Sequence, residues 1–255
     1  MTKLLLALVL LLQVGAADLA PTGTLRASFI ATNPVQGRVD PSTKEATGPA
    51  PDLVRELARR LGVKYEVLPL LDAGAVLESV RSGKADIGFL AVEAERATLV
   101  DFTDPYIDSG AAYAVRADAP FQKSADVDRQ GVTVGGIAGQ SPEVYVREHL
   151  KAAKVISLPS VPPNAALGKM LLDRKFDAFA ANRTRMEEMV REVPGLRVLA
   201  DDYMVTGQAI VVPKGNTARR MAVNRFLADV RKSGFVKSSI DKSKVAGVKV
   251  SPEPR

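Results

Sequence analysis

The hydrophobic and polar positions fall into short runs that switch between two periods. Thr24 to Ala31 (TLRASFIA) alternates and is rich in β-formers, which predicts a first strand ended by Thr32-Asn33-Pro34. Val35 to Pro49 is polar, contains Gly and Pro, and predicts a surface loop. Pro51-Asp52 then opens a helix, with proline in the first turn and an acid at the positive end of the dipole. Leu53, Val54, Leu57 and Leu61 form its apolar stripe and Gly62 closes it. Val63 to Leu68 follows as a second strand, and Ala75 to Arg81 as a second helix stopped by Gly83.

The stretch Leu77 to Gly110 (LESVRSGKADIGFLAVEAERATLVDFTDPYIDSG) organises what surrounds it. Ile87 to Val92 is apolar enough for a strand covered on both faces. Arg96 sits just past its C-terminal end, the edge at which open α/β sheets bind ligands. The stretch therefore reads as half of a ligand cleft with Arg96 as its anion-binding group, ending in an Asp108-Ser109-Gly110 break.

After Gly110 the pattern restarts. Strands are predicted at Ala111–Arg116, Val132–Ile137, Val155–Leu158, Phe176–Ala181, Leu196–Leu199 and Gln208–Val212. Helices are predicted at Glu143–Ala153, Asn164–Leu172, from Asn182 to just before Pro194, and over Thr217–Lys232, the last with Met221, Phe226, Leu227 and Val230 as core positions. The tail beyond Val250 reads as loose. Val80 to Ile87 and Leu171 to Ala178 share one design: helix, short turn, Lys-x-Asp, apolar strand. Repetition of that unit suggests two lobes built alike.

Composition narrows the chemistry. The 255 residues include no cysteine, which excludes disulfides, thiolate metal sites and a cysteine nucleophile. His149 is the single histidine, so multi-histidine metal sites are excluded; it lies on an amphipathic helix and reads as exposed and idle. Lys3 followed by the apolar run Leu4–Leu12 and the small residues Val14-Gly15-Ala16-Ala17 reads as a cleaved signal peptide over residues 1–17, too short for a membrane span. The net charge is +6, with Arg219, Arg220, Arg225, Arg231 and Lys232 on one late helix. With aromatics at 5% and no tryptophan, that helix reads as a solvated face and nucleic acid is not expected as a partner.

Three strand-to-helix junctions could line a cleft: the loop with Arg96, the Gly139-Gln140-Ser141 turn and the Ala181-Asn182 turn. Helix N-termini offer free N–H groups and partial positive charge, and a guanidinium fork beside them suits a carboxylate. Ser141 and Asn182 are also good N-cap residues, and Arg96 could instead pair with Glu93 or Glu95. Val134 to Gly139 lacks the Gly-Lys-Ser/Thr ending of a phosphate loop, so its glycines read as points of close backbone approach. Asp86 and Asp177 sit at strand starts and read as turn-forming residues, not a catalytic pair.

Gly48-Pro49-Ala50-Pro51-Asp52-Leu53, Ser82-Gly83-Lys84-Ala85-Asp86, Glu95-Arg96-Ala97, Val100 to Tyr106 (VDFTDPY), Gly131 to Gly135 and Val211 to Asn216 together resemble the extracellular solute-binding proteins of family 3, receptors of polar amino acid ABC transporters. The resemblance implies an α/β fold: a two-lobe, type II periplasmic-binding-protein-like clamshell, each lobe a sheet flanked by helices, with the ligand between lobes. Residues 18–109 plus 207–255 would form lobe 1 and 110–206 lobe 2, with crossing segments near Asp108–Gly110 and Val205–Gly207.

The resemblance also implies a site. Arg96 matches the arginine that pairs with the ligand carboxylate, and Ser141 a hydroxyl that touches it. Asn182 stands where amino-acid binders carry an aspartate for the ammonium, Ala91 where serine is common, and Glu93 where threonine is usual. Asn33 falls near where an aromatic often covers the ligand, and Phe89, Asn33 and Ala91 join Arg96, Ser141 and Asn182 as the implied ligand-binding residues. The carboxylate side is kept and the ammonium side altered, which suggests a small carboxylate or an unusual amino acid. No catalytic residue, metal or cofactor is implied. The implied partners are a small-molecule ligand and an inner-membrane ABC permease, the implied state a monomer and the implied location the periplasm. The alternatives are an enzyme like the cyclohexadienyl dehydratases, for which Glu93 would be the nearest general acid, and a ligand-sensing partner of a membrane kinase.

Overall fold

The structure is a computed structural model that describes residues 18–253. The signal peptide expected over residues 1–17 lies outside the described residues, as do residues 254–255. The chain divides into two compact units: the first runs to Ile107 and resumes at Gly207–Lys244 and from Val250, and the second comprises Asp108–Thr206 and Val245–Lys249.

In the first unit the strand Thr24–Ile30 lies parallel between Lys64–Leu70 and Ile87–Ala91. Ile87–Ala91 pairs antiparallel with the far half of Met204–Pro213, which in turn pairs with Val100–Phe102. All five residues of Ile87–Ala91 are buried, as expected for a strand covered on both faces. The helix Pro49–Leu61 buries Leu53, Val54, Leu57 and Ala58 and ends at Gly62 with φ 67°. Asp72 caps the helix Ala73–Arg81, its side chain accepting the Ala75 N–H at 2.8 Å.

Several sequence expectations need correction in this unit. Only the start of the expected surface loop turns inward: Val35 and Gln36 are fully buried, residues 40–45 are exposed as expected, and Arg38–Val39 pairs with Ala46–Thr47. Its polarity reflects an internal use, because Gln36 accepts the Ile30 N–H at 2.8 Å and donates to the Phe89 carbonyl at 3.2 Å and to Gln208 Oε1 at 3.3 Å. On the helix Thr217–Lys232, Phe226, Leu227 and Val230 are buried but Met221 is 52% exposed. That helix is also not a plain solvated face. Arg219 is buried and donates to the carbonyls of Asp18 (2.7 Å) and Asp86 (2.8 Å), and Arg231 donates to the Pro105 carbonyl. Two further elements follow, the helix Phe235–Ser243 and the strand Val248–Val250; of the tail expected to be loose, Ser251 is buried and donates its N–H to the Tyr106 carbonyl, while Pro252 and Glu253 are exposed and carry no regular structure.

In the second unit the long strand Ile107–Arg116, which brings the chain in at Asp108, pairs antiparallel with Ala178–Asn182 and Leu196–Val198. Ala178–Asn182 is parallel to Thr133–Ile137, and Thr133–Ile137 to Lys154–Leu158. The Asp108-Ser109-Gly110 break is absent. Those residues are strand, with the Gly110 N–H donating to the Gly247 carbonyl at 2.9 Å. Likewise Val205–Gly207 lies within the strand Met204–Pro213.

The helix expected over Glu143–Ala153 spans Ser141–His149. It stops early because the Asp128 carboxylate takes the next free N–H groups, from Lys151, Ala152 and Ala153, at 2.7–3.0 Å. These backbone donors hold the Asp128 carboxyl below its usual range. The glycines of Val134–Gly139 serve packing. A Cβ on Gly135 would stand 2.6 Å from the Phe179 ring, and one on Gly136 would stand 2.9 Å from the Glu143 side chain.

Candidate functional site

The first unit presents Arg96 at the end of its buried strand. Ile87–Ala91 runs out at Ala91, the chain turns through Val92 and Glu93, and Arg96 lies on the single-turn helix Ala94–Ala97. The helix folds the guanidinium back onto the strand it has just left: Nη1 donates to the Ala91 carbonyl at 3.1 Å. Arg96 is 9% exposed and Ala91 8%. The pairing weighed from the sequence is present in weak form, with Arg96 Nη2 3.7 Å from Glu93 Oε2, beyond hydrogen-bond length. Burial lowers the Arg96 pKa, and the nearby charges of Glu93 and Glu95 partly oppose that. A buried cation of this kind is stabilised by any anion that reaches it.

Two further residues of this unit take roles the sequence did not reveal. Asn33 forms a tight turn in which its Oδ1 accepts the Val35 N–H at 3.1 Å. The Phe89 ring is 1% exposed and meets Tyr106 edge-on at 5.7 Å, so its side chain belongs to the core, while its carbonyl is taken by Gln36. Gln36 was missed altogether. It fixes the turn that carries Asn33 to the strand that leads to Ala91, and its one sequence signal was a glutamine between the apolar Val35 and Gly37.

The second unit presents Ser141 and Asn182, each where a strand gives way to a helix. Ser141 is the first residue of its helix and Gln140 occupies the N-cap, so the expected capping role of Ser141 does not hold. Its hydroxyl is buried with no hydrogen-bond partner among the described residues. Glu143 steadies the same turn, accepting the Gly139 N–H at 3.1 Å and the Ser157 hydroxyl at 2.5 Å. Asn182 is 7% exposed and closes the strand Ala178–Asn182; it stands at the N-cap of Arg183–Glu192, yet its side chain does not cap that helix. An unpartnered buried hydroxyl at a helix N-terminus is a feature that an anionic group would satisfy.

Beside this turn lies an aromatic stack that the sequence did not suggest. Tyr113 and Tyr203 stack at 4.3 Å, Tyr203 meets Tyr145 at 5.7 Å, and Tyr145 stacks on His149 at 4.0 Å. His149 is exposed as expected, but it is engaged, with Nδ1 2.9 Å from the Tyr145 carbonyl. Among the described residues no helix is long and apolar enough to cross a membrane.

Comparison with known proteins places this architecture in a family. The profile of the bacterial extracellular solute-binding proteins, family 3, matches residues 26–243, and the chain belongs to that family. It is 27% identical over 206 residues to the L-cystine-binding protein TcyJ of Escherichia coli (strain K12), covering 77% of this chain and 73% of TcyJ. It is 22% identical over 196 residues to the cyclohexadienyl dehydratase of Pseudomonas aeruginosa, covering 74% of this chain and 71% of that enzyme. Among solved structures, a mutant of ArgBP from T. maritima superposes with a TM-score of 0.75 at 25% identity, over 90% of this chain and 99% of that one. The fold is that of the type II periplasmic binding proteins, as the resemblance implied.

Proposed function

We propose that this chain is the substrate-binding protein of an ABC uptake transporter and binds a small carboxylate-bearing solute, an amino acid or a related organic acid. The observation that carries the proposal is the buried guanidinium of Arg96, held at the end of a fully buried strand by the Ala91 carbonyl. A guanidinium fork is the side chain best matched to a carboxylate. The unpartnered Ser141 hydroxyl supports the same reading, and Asn182 completes the set of residues proposed to contact the solute. The proposed partner is an inner-membrane permease, the proposed location the periplasm and the proposed state a monomer.

We take the chain to be a binder, not an enzyme. The dehydratase relationship keeps an enzymatic reading in view, but general acid catalysis needs a proton donor facing the substrate; Asn182 is an amide that cannot serve, which leaves Glu93 as the one nearby candidate. A thermal-shift screen across amino acids and small organic acids tests the proposal, since a specific solute raises stability by mass action. A carboxylate-bearing hit supports it. A screen in which only uncharged solutes shift the melting temperature contradicts it.

A further inference from the structure

Val245–Lys249 lies in the second unit, although the residues before and after it, Lys244 and Val250, belong to the first. It follows residues 26–243, the stretch that the family profile matches. The segment is short and held at both ends. Lys244 closes the helix Phe235–Ser243 in the left-handed conformation, with φ 51°, and Ser251 is tied to the Tyr106 carbonyl.

Its contacts gather at one place. The Ala246 carbonyl accepts the hydroxyl of Thr184, which is 2% exposed. Gly247, at φ 68°, lies on the stem of Arg183, where a Cβ would stand 2.8 Å from Arg183 Cβ and 2.9 Å from its Cγ and Cδ. The Arg183 guanidinium donates to Asp202 at 2.6 Å and to the Leu199 and Ala200 carbonyls at 3.2 and 3.1 Å. The Asp202 carboxylate packs where a Cβ of Gly110 would stand, and the Gly110 N–H donates to the Gly247 carbonyl at 2.9 Å. Gly247, Arg183, Asp202 and Gly110 thus form a closed ring of contacts. Asn182 directly precedes Arg183 and Thr184, and it pairs with Ala111, the neighbour of Gly110. The segment therefore grips the residues beside Asn182 on both strands. The helix that starts there receives no side-chain cap from Asn182, so its first turn is anchored from Ala246 and Gly247 instead.

A contact residue holds its geometry only as well as its supports do. Resting on the solute-binding reading above, in which Asn182 contacts the solute, we infer that Val245–Lys249 is a strap that sets the position of Asn182, with Thr184 and Gly247 as positioning residues for solute affinity.

Hydrogen exchange and calorimetry on the full chain test this. Gly247→Val can keep neither φ 68° nor the fit against Arg183, and Thr184→Val removes only the hydroxyl; Thr184→Ser keeps it. Both valine variants should speed exchange in peptides covering residues 178–190 by roughly fivefold or more, with Thr184→Ser close to the wild type and the rest of the second unit unchanged apart from Gly110. The calorimetric probes are L-arginine, L-glutamate, L-alanine, succinate and L-lactate. For the probe that the wild type binds most tightly, both valine variants should weaken binding by roughly fivefold and Thr184→Ser should restore it. On an Asn182→Ala background they should weaken it no further, because the contact they act through is already gone. Faster exchange at Gly110 alone, or throughout the second unit, overturns the assignment, as does unchanged binding or an equal loss on both backgrounds. If Asn182→Ala itself leaves binding unchanged, the strap assignment falls while the carboxylate reading at Arg96 stands. If the wild type binds no probe, both fall.

Discussion

The backbone N–H of Thr133 donates to the Asp177 carboxylate at 2.9 Å, and the backbone N–H of Asp177 donates back to the Thr133 carbonyl at 2.8 Å. Arg26 and Asp86 make the same exchange in the other unit, at 2.9 Å and 2.7 Å. In each case the aspartate of the Lys-x-Asp echo sits just before a buried strand and registers it against its parallel neighbour. Asp86 has a second grip, because the Arg26 guanidinium reaches both its oxygens, at 2.7 and 3.1 Å.

Removing either carboxylate orphans a backbone N–H at a strand start, so Asp177→Ala should cost about 1–3 kcal/mol of stability. Asp86→Ala should cost more, because it also removes a bidentate contact with Arg26, whereas Asp177 meets the Arg116 guanidinium only at 3.5 Å. Urea denaturation of the two variants checks the order; an Asp86→Ala variant as stable as the wild type would contradict the assigned role.

Gln36 is an all-or-none residue. Its buried amide serves the Ile30 N–H and the Phe89 carbonyl together, so Gln36→Leu leaves both without that partner at a cost of about 2–4 kcal/mol. The same variant should weaken solute binding, since the tied segments carry Asn33 and Ala91. A variant that keeps full stability in urea titration would show that the network is dispensable.

Gly136 lets the helix Ser141–His149 lie against its strand. An alanine there would meet the Glu143 side chain at 2.9 Å, so Gly136→Ala should destabilise by about 1–3 kcal/mol and displace the turn that presents Ser141. Thermal unfolding and solute titration on the one variant should both move; movement of neither would count against the packing argument.

Acid should weaken the first unit in a defined window. Hydrogen bonds from Arg59 and Arg60 hold the Glu56 carboxyl at about 2, below its ordinary 4.5. The native state then binds fewer protons than the unfolded chain between those values. The stabilisation is full above pH 4.5 and is lost as pH falls toward 2. Glu56→Gln should flatten the fall in melting temperature across that range, and an unchanged slope would refute the assignment.

Much of the fold was legible because it rests on short-range pattern. Asn164–Leu172 and Thr217–Lys232 were readable to the residue from apolar spacing and flanking turn residues, and the Lys-x-Asp echo announced a repeated strand start. What was not legible depends on partners far along the chain. The early end of Ser141–His149 needs Asp128, the inward turn of Gln36 needs Phe89 and Gln208, and the anchoring of Ser251 needs the Tyr106 carbonyl. No local period encodes such contacts. The candidate site was legible where charge and position coincide, at Arg96, and illegible where a residue looks like an ordinary cap. Ser141 has a buried unpartnered hydroxyl that its sequence context disguises.

The central claim is that Arg96 binds a carboxylate. Isothermal titration of the solute found by screening into wild type, Arg96→Lys and Arg96→Ala tests it directly. The account predicts stoichiometric binding by the wild type, a loss of roughly tenfold or more for Arg96→Lys, which keeps the charge but not the fork, and a larger loss for Arg96→Ala. Equal affinity in all three proteins, each folded by circular dichroism, would contradict it.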